Sequence, residues 1–218
     1  MQDTVKNLEL GYHELYNNYG YYIDNVPLDV IKDLDEFINQ LSLNFNKGKK
    51  INDRLAGHIK KEYVYKPNKR VGDFIKGIVS KIEKSSKLMQ TNIGDLPKRK
   101  LHISDFWVNF QEKYEFNPLH SHSGIYSVVI WHKIPYKYED EQKYFPDRPN
   151  ATNGMFSFHY PFHHHSAPNI GTLILLTDKS AEGKICIFPS NLQHAVSPFY
   201  SSDDYRITFS CNIHLNSQ

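Results

Sequence analysis

At 218 residues with 39% hydrophobic content, the chain is long enough for one globular domain with a sizeable core. A formal charge of +2 selects no partner. No apolar run approaches the roughly 18 residues of a membrane-spanning helix, and the opening MQDTVKNLEL lacks a signal-peptide core, so the sequence predicts a soluble, cytoplasmic protein with no membrane partner.

The predicted elements begin with a region, residues 1–100, that reads as helical or irregular. After Pro27-Leu28-Asp29, the apolar residues Val30, Ile31, Leu34, Phe37, Ile38 and Leu41 recur at spacings of three and four, one face of a helix that ends by Lys47-Gly48. Val71, Phe74, Ile75, Ile78, Val79 and Ile82 repeat the pattern, and residues 90–100 read as a polar connection. Residues 47–100 carry 16 Lys/Arg against 5 Asp/Glu, which leaves −9 for the rest of the chain. Such a stretch can meet nucleic acid or an acidic protein surface; a solvated helical face is the plainer reading.

From Leu101 the texture changes to short β-type runs at 102–112, 124–133, 154–160, 171–176, 183–189 and 204–214, separated by Pro, Gly, Asn and Asp. The aromatic content of 14% favours a β-rich interior. The sum is an α+β chain: a helical region, 1–100, packing on a sandwich or barrel, 101–218, as one integrated domain. Tyr136 to Asn153, charged and Pro-bearing, is expected to be a long exposed loop over the site mouth. Cys186 and Cys211 both fall in strands and read as buried free thiols, with a disulfide as the alternative.

His120 and His122 are one residue apart on an extended segment, so both imidazoles can point to one side and reach one metal ion. His194 follows 74 residues after His120, beyond a Pro189-Ser190 turn, at a separation expected of strands on opposite sides of a barrel. In 205–213, Tyr205, Ile207, Phe209, Cys211 and Ile213 form one face and Arg206, Thr208, Ser210 and Asn212 the other. The second face is polar in a strand too apolar to lie on the surface, so it should line a cavity. There Arg206 can take a carboxylate in bidentate fashion and Thr208 can donate a further hydrogen bond; an internal salt bridge is the alternative for Arg206. Asn109, sharing a side with Asp105, Trp107 and Gln111, is a candidate for an outer contact of the same kind. His163-His164-His165 reads as an exposed loop that takes up metal only adventitiously, and His132 and His159 receive no functional role.

Together these motifs resemble the 2-oxoglutarate- and Fe(II)-dependent oxygenase superfamily over residues 101–214, and above all the 2OG-Fe(II) oxygenases common in phage and marine bacterial sequences. The likeness rests on Asn117-Pro118-Leu119-His120-Ser121-His122-Ser123-Gly124 before Ile125–Trp131, and on Ile187-Phe188-Pro189-Ser190 leading to His194 and Arg206-Ile207-Thr208. Leu55-Ala56-Gly57-His58-Ile59-Lys60-Lys61-Glu62 resembles the amino-terminal segment of the same group. The resemblance implies a double-stranded β-helix (jelly-roll, cupin-like) barrel with N-terminal supporting helices. It implies Fe(II) on His120, His122 and His194; 2-oxoglutarate on Arg206, Thr208 and Asn109; O2 as cosubstrate; and ascorbate as a reductant. The implied reaction couples decarboxylation of 2-oxoglutarate to hydroxylation, with a peptidyl residue such as proline as the first expectation.

One position departs from the pattern. Most of the superfamily binds iron through His-x-Asp/Glu and a later His, and here His122 stands at the carboxylate position. A three-histidine site, a two-histidine site with an open position and a degenerate site are all open. So are a nucleic-acid dealkylating oxygenase, which would use the basic stretch but lacks His-x-Asp and a second downstream arginine; a non-catalytic jelly-roll metal- or ligand-binding protein; and a three-histidine dioxygenase that needs no 2-oxoglutarate.

Overall fold

The computed structural model describes residues 5–15, 19–85, 101–148, 151–164 and 167–215. Strands open the chain where the sequence reads as helical or irregular: β1 (Val5–Lys6), β2 (Gly11–Glu14) and β3 (Gly20–Asn25). Their cause is tertiary. The β2–β3 hairpin is too short to declare a period of two, but β3 pairs along its length with a later strand and buries Tyr21 and Ile23. Two helices then follow as their periodicity predicts, α1 (Leu28–Ser42) and α2 (Lys69–Ser85), with the short strand β4 (Glu62–Val64) between them. Asn68 caps α2, its Oδ1 accepting the Val71 N–H at 3.0 Å. Polar residues of the basic stretch are partly paired: Arg70 with Asp33 at 3.1 Å and Lys81 with Asp24 at 2.7 Å.

Among the described residues eight further strands follow: β5 (Leu101–Gln111), β6 (Asn117–His120), β7 (Tyr126–Lys133), β8 (Phe156–His164), β9 (Ala167–Leu175), β10 (Lys184–Pro189), β11 (Gln193–Val196) and β12 (Arg206–Leu215). They divide between two sheets ordered β2-β3-β10-β7-β12-β5-β4 and β1-β9-β8-β11-β6. Within these, the four-strand runs β10-β7-β12-β5 and β9-β8-β11-β6 are antiparallel throughout and face each other. That interleaving, with the chain crossing from sheet to sheet, is a double-stranded β-helix, and the fold is α+β.

The period of two along the central strands sorts their side chains. Val128 and Ile130 of β7, with Ile185 and Ile187 of β10, point outward into a cluster with Leu34, Val71, Ile75 and Ile78, so α1 and α2 cover the outer face of the larger sheet. Val129, Trp131, Cys186 and Phe188 point inward to meet Phe156, Phe158, Leu173 and Leu175 of the opposite sheet. Both faces of β7 and β10 are buried, which is why they read as unbroken apolar runs.

Three expectations need correction. β6 and β11, of four residues each, were not predicted as strands. His163 and His164 end β8 rather than lying in a loop, and His165 is outside the described residues; the 90–100 connection is outside them too. The segment from Tyr136 to Asn153 is not simply an exposed loop: it contains α3 (Tyr138–Gln142) and buries Tyr136, Glu141 and Asn153. The Glu141 carboxylate accepts the backbone N–H groups of Tyr200 at 2.9 Å and Ser201 at 2.8 Å, anchoring the segment to the loop before β12.

Candidate metal centre

His120 is the last residue of β6 and sits directly opposite His194 of β11 in the antiparallel register. Cross-strand partners project side by side, and the two ring centroids are 4.2 Å apart. The sequence placed His194 on the opposite side of the barrel; it is on the neighbouring strand of the same sheet. His122 follows two residues beyond His120, its backbone N–H donated to Ser190 O at 2.8 Å, and its ring lies 4.9 Å from His120 and 5.1 Å from His194. One ring nitrogen from each residue lies within 4.8 Å of the others, and the three can hold a metal ion.

Two of the rings are oriented by carbonyls two residues back. His120 Nδ1 donates to Pro118 O at 2.7 Å and His194 Nδ1 to Leu192 O at 3.0 Å, which leaves Nε2 of each as the free lone pair. Burial holds the His122 imidazole down to about 4, with the His120 ring adding to the effect. Burial also lowers His120, and it lowers His194 well below the ordinary imidazole range. All three are therefore neutral at pH 7, the form that ligates metal. Phe156 stacks on His194 at 5.6 Å and Phe188 meets its edge at 4.8 Å, so apolar rings close the site on that side.

In the same cavity lies Arg206, 2% exposed, at the start of β12 and across from Gln111 of β5. Its Nε and Nη2 donate to Gln111 Oε1 at 3.0 and 2.5 Å, and its Nη1 donates to Tyr136 Oη at 2.7 Å and Gly154 O at 2.8 Å. Nη2 also reaches Ser197 O at 3.5 Å, the longest of the set. Every one of these acceptors is uncharged. Among the described residues no carboxylate pairs with Arg206, so the internal salt bridge held as its alternative is not what is found. Gly154 is needed here on two counts: its φ is +68°, and a Cβ would meet the Tyr136 ring at 2.6 Å. Its carbonyl also receives Tyr136 Oη and Thr177 Oγ1.

Thr208, Ser210 and Asn212 line the cavity with Arg206, as the alternation in β12 predicts, and Cys211 joins them at a bulge between Ser210 and Asn212. Asn109 Nδ2 donates to Thr208 Oγ1 at 3.1 Å, so the Thr208 hydroxyl hydrogen is free for another acceptor; Asn109 Oδ1 is buried without a partner among the described residues. The sequence did not assign Gln111, Tyr136 or Gly154. Gln111 was legible in principle, since it lies on the cavity side of β5. Tyr136 comes from the segment read as an exposed loop and Gly154 opens the run 154–160 read as a strand; neither left a signal of this role. His132 is turned away to Asp35 at 2.9 Å, and His159 binds Ser157 and Thr172.

A family model described as "Putative 2OG-Fe(II) oxygenase" matches residues 105–212. The chain carries a 2OG-Fe(II) oxygenase domain of this family. All three histidines, Arg206, Thr208 and Asn109 fall inside the matched span, whereas Leu55–Glu62 precedes the oxygenase match. Among solved structures, the chain is similar to a Pseudomonas putida prolyl-4-hydroxylase, at 10% identity and TM-score 0.49, covering 88% of this chain and 91% of that one. It is similar to a viral collagen prolyl hydroxylase from Paramecium Bursaria Chlorella virus-1 in a 2OG complex, at 13% identity and TM-score 0.49, covering 88% and 94%. A prolyl hydroxylase from Trichoplax adhaerens, in complex with a hypoxia inducible factor peptide fragment, aligns at 13% identity and TM-score 0.49, covering 88% and 81%. No curated protein matches the chain.

Proposed function

We propose that His120, His122 and His194 hold Fe(II), that Arg206 and Thr208 receive the distal carboxylate of 2-oxoglutarate, and that the chain hydroxylates a C–H bond. A peptidyl residue such as proline is the favoured substrate class. One observation carries this reading: three neutral imidazoles converge in the same cavity as a buried guanidinium that has only uncharged acceptors. The residues fit both groups. Three imidazoles suit Fe(II), and because they are neutral they leave its full 2+ charge for a dianionic cosubstrate to offset. The cosubstrate's far carboxylate would in turn supply the anion that Arg206 lacks.

Bound Fe(II) and 2-oxoglutarate would supply the oxidising chemistry, in which O2, 2-oxoglutarate and substrate C–H give succinate, CO2 and the alcohol. The protein's part is orientation and exclusion of water. Pro118 O and Leu192 O hold two of the imidazoles in their ligating tautomer. Asn109, by donating to Thr208 Oγ1, turns the Thr208 hydroxyl hydrogen toward an incoming carboxylate. The Ser197 contact of Arg206 Nη2, at 3.5 Å, is the one most easily exchanged for a carboxylate oxygen. Phe156 and Phe188 keep the His194 side dry.

Arg206→Ala separates the two subsites. It is expected to raise the 2-oxoglutarate concentration needed for half-maximal succinate release by about 100-fold, while Mn(II) affinity changes by less than about twofold. Equal losses in both, measured by turnover and by calorimetric Mn(II) titration, would remove Arg206 from the cosubstrate role. An anaerobic crystal soak with Mn(II) and 2-oxoglutarate tests ligand count directly, because an ion bound by His120 and His194 alone would leave His122 out of the ligand set.

A further inference from the structure

The segment Leu55–Glu62 supplies neither a metal ligand candidate nor a contact to Arg206, yet it is fastened to the strand that carries His120. His58 donates its backbone N–H to Phe116 O at 2.8 Å and stacks its ring on Phe116 at 4.6 Å. Lys60 donates its N–H to Glu115 Oε1 at 3.2 Å. Gly57 lies so close to Asn117 that a Cβ there would collide with Asn117 Oδ1 and come within 3.5 Å of Glu62 Oε1. The Asn117 amide oxygen and the Glu62 carboxyl thus both border the gap left by an absent side chain.

The strand β6 has need of such support. It is four residues long, stands at the edge of its sheet and, among the described residues, pairs only with β11, through a shifted register. Glu62, 1% exposed, is buried on its other flank. Asn52 Nδ2 donates to Glu62 Oε2 at 3.0 Å. Asn52 Oδ1, Asn117 Oδ1 and Asn109 Oδ1, the last on the residue across from Glu62 in the β4–β5 register, are buried with no donor among the described residues, and Glu115 brings a second carboxyl group. An ionised Glu62 would be a buried charge with a single donor; a protonated one provides the O–H that Asn117 Oδ1 lacks. Burial first, and then Glu115, push this carboxyl up to about 7, in the direction the geometry requires. The neighbouring cations point elsewhere: Lys61 Nζ pairs with Glu112 and Tyr205, and Lys60 Nζ lies 3.7 Å from Glu115 and 3.8 Å from Glu112. His58 lies along Phe116, and Asp53 is exposed.

We propose that Glu62 is a positioning residue of the metal centre: its carboxylic acid donates to Asn117 Oδ1 and clamps the edge strand that ends in His120. The effect on metal rests on the reading of His120 as a ligand; the clamp on the strand does not.

Amide hydrogen exchange of residues 116–122 in metal-free protein, corrected for intrinsic pH dependence, reads the clamp, and Mn(II) titration reads its effect on the site. In wild type, exchange should quicken about fivefold between about pH 6 and pH 8.5, as the proton leaves. Glu62→Gln keeps an N–H donor without a titrating proton and should remove that pH dependence. Glu62→Ala should exchange quickly at both pH values and, at about pH 6, bind Mn(II) about tenfold more weakly, with Glu62→Gln within about twofold of wild type. Should Glu62→Ala fail to fold, Asn117→Ala, which removes the acceptor, must reproduce the fast exchange. The proposal is overturned if Glu62→Gln keeps the wild-type pH dependence, if wild type shows none, or if the variants exchange differently but bind Mn(II) alike. Expected exchange behaviour with no Mn(II) binding in any variant, wild type included, would keep the clamp and overturn the metal-site reading instead.

Discussion

Burial and the His120 ring hold the His122 imidazole near 4 in the folded state, against an ordinary value of 6.5, so the folded metal-free protein binds fewer protons than the unfolded chain between those limits. Stability from this group is complete above about pH 6.5 and falls as the pH drops toward 4, by up to about 3 kcal/mol. Glu62 has the opposite slope. Its carboxyl is raised from 4.5 to about 7, so the folded state holds the extra proton and stability is lost as the pH rises through that window. Urea melts of metal-free protein should resolve the two. His122→Gln should lessen the loss of stability on going from pH 7 to 4.5, and Glu62→Gln should lessen the loss on going from pH 4.5 to 7. A shared slope in both variants would mean that neither group is perturbed as described.

Elements divide the labour between stability and chemistry. The helices α1 and α2 cover the outer face of the larger sheet, whereas the candidate ligands line the cavity between the sheets. Ile75, wholly buried on α2, should therefore cost about 2–4 kcal/mol when changed to Ala, while Mn(II) affinity of the folded protein stays within about twofold. Chemical denaturation and metal titration on the same sample check both halves of that statement. These helices were legible because each carries at least four apolar residues at spacings of three and four. The polar stripe of β12 was legible too, because strict alternation over eight residues declares both a core face and a cavity face. β6 and β11 were not, being four residues each and held by their neighbours rather than by propensity; Pro118 even lacks a ladder N–H, which an edge strand tolerates. The His-x-His spacing nevertheless singled out two of the three histidines that the structure brings within reach of one another, since a period of two survives a strand that is barely formed. What sequence could not express was the pairing of β6 with β11, which sets His120 beside His194. Nor could it show that Glu141 pins the 136–153 segment inward and so brings Tyr136 and Gly154 to Arg206.

On the scale of the whole molecule, the two sheets keep a cavity between them that the three imidazoles and the guanidinium all line. Binding that favours the folded state should appear as stabilisation by mass action. Mn(II) is expected to raise the melting temperature, and 2-oxoglutarate to raise it further only when the metal is present, because one of its two anchors is then in place. A shift from 2-oxoglutarate alone, equal to that with metal, would mean that Arg206 binds it without help from the histidines. No helix of the described residues is long and apolar enough to cross a membrane.

A guanidinium enclosed by neutral oxygens, carbonyl and phenolic, discriminates poorly among the anions that can reach it. Sulfate, malonate or phosphate from a buffer would compete for that position, and so would succinate left behind after turnover. Apparent demand for cosubstrate should then rise with the concentration of such ions, so the salt chosen for an assay becomes a variable of the measurement.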